Sequence, residues 1–161
     1  MKLSLLSASL LTVALAVSQA AHAQVPQYGA NIGFDLANRV VAAAVADAKK
    51  QNLPMAVAIV DTAGQLVAFV RMDNTQTGSI AVAQDKAISA ATFRRPTKAF
   101  ADAVAGGGAG LRILTLRGAN AIEGGVPLVI DGKIVGAIGV SGGTAEQDGV
   151  VAKAGIDGMA K

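Results

Sequence analysis

Asp131-Gly132 lies between two apolar runs, Val126–Ile130 and Lys133–Val140, and this arrangement constrains the chain more than any other feature. Asp-Gly is a two-residue type I′ signal because both central residues need positive φ, and so tight a turn joins antiparallel neighbours. A second hairpin is predicted upstream. Met55–Asp61 and Leu66–Met72 are short runs rich in Val and Ile, separated by Thr62-Ala63-Gly64-Gln65. Around the hairpins the period changes from two to that of a helix. Phe34–Lys50 places Phe34, Ala37, Val41, Ala44, Val45 and Ala48 on one face, and Asn52 with Pro54 ends it. Ser79–Phe93 is Ala-rich without Gly or Pro, and predicts a second helix capped by Thr77. Pro96 suits the first turn of a third helix running to about Val104, where its missing amide costs nothing. Thr144-Ala145-Glu146-Gln147 is a capping box, opening a C-terminal helix with Val150, Val151, Ala154 and Met159 on its apolar side. Ala105–Gly110 holds four glycines and is assigned no element, while Leu111–Leu116 reads equally as strand or helix. The expected class is α/β in the α+β sense, a single domain with an antiparallel β-sheet flanked by α-helices.

The N-terminus reads as a targeting segment. Lys2 supplies a positive start, Leu3–Val17 is apolar, and Ala21-His22-Ala23 is a small-x-small cleavage site. Residues 1–23 are therefore expected to be a signal peptide, residues 24–161 the domain, and the destination periplasmic or secreted. The apolar run is shorter than the roughly 20 residues of a spanning helix, so no membrane span is expected after cleavage.

Removal of 1–23 would take the one histidine, His22, with it; the chain has no cysteine. A formal net charge of +3 from 14 Lys plus Arg and 11 Asp plus Glu loses Lys2 and forms no basic stripe. With 3% aromatic residues for stacking, nucleic acid is not an expected partner. A chain that is 52% hydrophobic can bury a real core without disulfides or structural zinc.

Gly139-Val140-Ser141-Gly142-Gly143 satisfies G-x-S-x-G between a predicted strand and a predicted helix. The hydroxyl needs a base, however, and the usual histidine is missing from the mature segment, so no catalytic residue is assigned. A Ser141–Lys86 pair would require a desolvated lysine. Ser141, Gly142 and Gly143 can alternatively offer backbone amides to an anion at the helix entrance, or form a plain strand-to-helix turn. Arg94-Arg95-Pro96-Thr97-Lys98 packs three cations into five residues, and Arg71 closes the second strand. These are solvated charges or a clamp for an acidic ligand. Lys86 is either a snorkelling surface residue or a pocket charge. Proton transfer on a small organic acid, with Lys86 or Asp61 as acid or base, remains an alternative to a binding protein.

Several segments resemble one family: Gln51-Asn52-Leu53-Pro54-Met55-Ala56-Val57-Ala58-Ile59-Val60-Asp61, Gly64–Asp73, Asp85-Lys86-Ala87, Phe93–Lys98, Gly124-Gly125-Val126-Pro127-Leu128 with Asp131-Gly132, and Val135–Gly142 with Asp148. They follow in the order of the GlcG/HbpS-like haem-binding, or haem-degrading, domain family, from about Ile32 to the C-terminus. The resemblance implies a profilin-like fold, homo-oligomers, and haem or a related tetrapyrrole as cofactor or acidic small-molecule partner. Iron is normally held by His, Cys, Met or Tyr. The mature segment offers Tyr28, Met55, Met72 and Met159. Tyr28 is the candidate axial ligand, an oxygen such as Thr97 or Thr115 is another, and a ligand other than haem is the third possibility. Arg94, Arg95 and Lys98 would face propionates.

Overall fold

The computed structural model describes residues 25–160. The expected signal peptide, 1–23, lies outside the described residues. Five strands and four α-helices follow: β1 (Gln27–Tyr28), α1 (Phe34–Lys50), β2 (Ala56–Val60), β3 (Leu66–Arg71), α2 (Gly78–Thr92), α3 (Thr97–Ala105), β4 (Gly125–Ile130), β5 (Lys133–Ser141) and α4 (Ala145–Asp157). Short 3-10 helices occupy Gly108–Thr115 and Gly158–Ala160.

β5 is the centre of the sheet. Antiparallel β4 pairs along one of its edges; antiparallel β2 and the two-residue parallel β1 share the other, and β3 pairs antiparallel beyond β2. The expected antiparallel sheet is present, with β1 as an unforeseen parallel addition too short to carry a periodic signal. Both hairpins form as expected. Asp131 and Gly132 have φ of 49° and 72°, the pair of positive values that a type I′ turn requires.

Alternation along the buried strands makes two cores. Val57, Ile59, Ile138 and Val140 join Val40, Ala44, Val151 and Ala152 of α1 and α4 on one face. Ala56, Ala58, Val60 and Ala137 meet Ala83, Ala87, Ala90 and Ala91 of α2 on the other. That second interface is built from small side chains, so the helix approaches the sheet closely. A Cβ on Gly139 would strike the Ala83 carbonyl and lie 2.5 Å from the Ala87 nitrogen.

Three local expectations change. Thr77 is helical and makes no side-chain cap, and Pro96 is the N-cap of α3 rather than its first residue. The ambiguous run after the glycines is 3-10 helix, in which Ile113 is its buried residue. Thr144 and Gln147 do form the capping box of α4. Among the described residues no helix is long and apolar enough to cross a membrane.

Candidate functional site

Lys86 is neither a surface snorkel nor the charge of an open pocket. It lies on the buried side of α2, 1% exposed, and its Nζ donates to Asp148 Oδ2 at 2.6 Å and to the Val140 carbonyl at 3.0 Å. The other Asp148 oxygen accepts the Gly143 amide at 2.9 Å. Burial pushes the Asp148 carboxyl up from its ordinary range, opposed by the Lys86 ammonium and by the amides of Gly143 and Gly142. The anion expected at the entrance of α4 is thus the chain's own carboxylate. Thr144 N is likewise taken, by Gln147 Oε1 at 2.9 Å, so the Gly143 and Thr144 amides are committed internally. Ser141 is buried too, and its hydroxyl donates to Ser79 Oγ at 3.0 Å.

Two glycines seal this polar cluster. A Cβ on Gly124, whose φ is +124°, would fall 2.9 Å from Lys86 Nζ and 2.7 Å from the Val140 oxygen. One on Gly125 would run into the Lys86 carbonyl and come within 2.6 Å of Thr97 Cγ2. Thr97 itself is buried and brackets Gly125: its Oγ1 accepts the Gly125 amide at 2.9 Å and donates to the Gly125 carbonyl at 3.4 Å. Gly124-Gly125 therefore packs over the pair as main chain alone. Sequence reasoning placed Lys86 and Asp148 in separate motifs and missed their union; the adjacent glycines and the acid in the first turn of α4 were the available signals.

The cationic turn lies on the surface. The amide of Arg95 donates to the Ala90 carbonyl and that of Arg94 to Ala91, while Arg94 has φ of 55°. This left-handed helix ending is usually made by glycine. The Arg94 guanidinium stands over the Tyr28 ring at 5.6 Å, and that of Arg95 over Phe100 at 5.5 Å. Lys98 pairs with Asp102 at 2.7 Å and reaches Glu123 at 3.9 Å. Tyr28 donates its hydroxyl to the Ala91 and Thr92 carbonyls at 2.9 and 3.1 Å, joining the Arg94 amide on the first and capping the last residue of α2 with the second. Thr115 Oγ1 bonds the Arg112 carbonyl at 2.7 Å. Arg71 is exposed at the far end of β3. The candidates therefore divide into a buried set (Lys86, Thr97, Ser141), a surface turn (Arg94, Arg95, Lys98 with Tyr28) and an isolated Arg71.

A separate cavity of about 480 Å³ opens between the segment after β1 and the β4–β5 turn, lined by Ile32, Leu36, Ile130 and Val135 with Asn31, Asp131 and Lys133. Arg71, Lys86 and Arg94 do not converge on it. The donor set does not fit a haem with an endogenous strong axial ligand. Among the described residues there is no histidine or cysteine, Met55 is fully buried, Met72 and Met159 pack half-buried against the core under α1 and α4, and the hydroxyls of Tyr28, Thr97 and Thr115 are engaged by the chain itself. Planar arginines at an aromatic-lined turn suit carboxylates such as propionates.

Comparisons with known proteins agree with this architecture. Residues 32–157 match the family described as haem degrading protein HbpS-like. Protein GlcG of Escherichia coli K12 is 40% identical over 106 residues, covering 66% of this chain and 78% of that protein. The crystal structure of a PduOC:heme complex superposes with a TM-score of 0.72 at 30% identity, covering 80% of this chain and 94% of that one. That of HbpS gives 0.74 at 27% identity, covering 81% and 92%. With its hairpins, its sealed glycine pair and a matched span that takes in almost every described element, the chain belongs to the HbpS-like haem-degrading protein family.

Proposed function

We propose that this chain binds haem or a related tetrapyrrole as a planar, acidic guest, acts as a homo-oligomer, and is exported to the periplasm or beyond. The observation that carries the reading is its membership in the HbpS-like family together with its likeness to a domain crystallised with haem. Arg94 supports it from within the chain. An arginine occupies a backbone position where glycine costs less, and such a retained strain points to use of the side chain. Export rests on the targeting pattern of residues 1–23.

In this reading the guest is held by its ring and carboxylates rather than by a protein imidazole or thiolate. The chain's contribution is charge and surface: Arg94 and Arg95 orient carboxylates, while Tyr28 and Phe100 hold the two guanidinia in place. Metal-free protoporphyrin should then bind within about tenfold of hemin, a difference of about 1.4 kcal/mol. Titration followed by Soret absorbance and by quenching of porphyrin fluorescence tests this. Saturable binding of both, weakened by Arg94→Asn with Arg95→Ala, is the expected result. An unshifted Soret band at micromolar protein would remove the proposal, and binding of hemin alone would show that iron ligation dominates.

A further inference from the structure

A 3-10 helix repeats every three residues, so side chains at i and i+3 line up in three ridges. In Gly108–Thr115 the three ridges have different surroundings. Gly110 and Ile113 turn inward: a Cβ on Gly110 would strike the Ala103 carbonyl of α3, and Ile113 is buried. Leu111 and Leu114 form the second ridge and face solvent, 48% and 67% exposed, with Leu116 just beyond them at 43%. Arg112 and Thr115 form the third, also exposed. Both ends of the segment stand clear of the body. Gly107, Gly108 and Gly118 have φ of 68°, 52° and 83°, and a Cβ on any of them would meet nothing within 4 Å. Leu111, Leu114 and Leu116 therefore remain in water on a projecting segment, and contiguous apolar exposure of this kind marks a contact surface.

The charge around the leucine ridge narrows the partner. Residues 103–122 hold two arginines, Arg112 and Arg117, and no acid. Both are exposed, and neither makes an ion pair among the described residues. The flanking acids are already taken, since Lys98 pairs with Asp102 at 2.7 Å and reaches Glu123 at 3.9 Å. A second copy seated here about a two-fold axis would bring the unpaired arginines toward their own twins, with no acid in the segment to offset them.

The geometry points to an anionic lipid surface as the partner of this face. Leu111 and Leu114 enter the boundary between headgroups and acyl chains, while Arg112 and Arg117 stay at the level of the lipid phosphates. A projecting ridge suits a bilayer interface, which needs no matching knob or groove. The contact is peripheral, because among the described residues no helix is long and apolar enough to cross a membrane. It does not depend on the tetrapyrrole reading.

The chain has no tryptophan, so one introduced indole reports on its own position. Leu114→Trp in the full-length chain should blue-shift its emission with vesicles of mixed phosphatidylglycerol and phosphatidylcholine, and not with phosphatidylcholine alone. Ala46→Trp, exposed on α1 in the opposite helix layer, controls for binding through residues 1–23 and should stay unshifted. Arg112→Gln with Arg117→Gln in the Leu114→Trp background should weaken the vesicle interaction about tenfold or more, and added salt should weaken it likewise. The substituted side chains are all exposed, so the melting transition should be retained. Emission at position 114 that anionic vesicles leave unmoved, that neutral vesicles move equally, or that position 46 reproduces would overturn the lipid face. A shift on concentrating the protein without vesicles would assign the ridge to a second copy, and a shift with polyglutamate but not with vesicles would assign it to an acidic polypeptide. Either result would overturn the proposal.

Discussion

The Lys86–Asp148 pair shows how a single buried charge organises its surroundings. An ammonium with 1% exposure persists because a carboxylate and a carbonyl meet it at 2.6 and 3.0 Å. Lys86→Met alone should cost about 3–5 kcal/mol in urea unfolding, since it strands Asp148; adding Asp148→Leu should recover most of that loss, because the desolvation of both ions is removed. The raised Asp148 carboxyl sets the sign of a pH effect. With the folded value above the unfolded one, its stabilising contribution is complete below the ordinary range and is lost as pH rises through the raised value. Stability measured against pH should show that decline in the wild type and lack it in Asp148→Asn. Gly125→Ala should cost about 1–3 kcal/mol or more, as its methyl meets the Lys86 carbonyl. Arg94→Gly should do the opposite, raising stability by about 0.5–1 kcal/mol in thermal melts while weakening tetrapyrrole binding.

Among the elements, those with a strong local signal were legible. α1 spans Phe34–Lys50 as its periodicity predicts, and both hairpins keep their expected turns. The Thr144 capping box is real, so Thr144→Ala should cost about 1 kcal/mol, measurable in denaturant unfolding. β1 was not legible, being a two-residue parallel contact to Lys133 and Ile134 that only β5 can stabilise. The strand-or-helix ambiguity of Leu111–Leu116 became 3-10 helix because the glycines before it adopt φ of 68° and 52°, which no apolar period encodes. The helix-entrance glycines carried a true signal for an anion, but the anion was the Asp148 carboxylate, five residues beyond Gly143 in the same chain, rather than a ligand.

For the whole molecule, family membership and layer architecture follow from the order of motifs, and the comparisons agree with them. The candidate site did not emerge as one place. Lys86, Arg71 and Arg94 are carried by separate surfaces and depths of the fold, and no sequence interval reports depth. What the amino-acid order determined by itself was the set of local choices: turn type at Asp131-Gly132, amphipathic period in α1, the cap of α4. Each depends on interactions within a few residues, where backbone sterics and neighbouring side chains dominate. Only the tertiary structure decided that Lys86 and Asp148, 62 positions apart, would meet. Only it decided that Thr97 would close the backbone of Gly125 on the β4 edge. Burial, charge pairing and edge protection are properties of which segments are packed together, and those contacts exist only once the whole chain has folded.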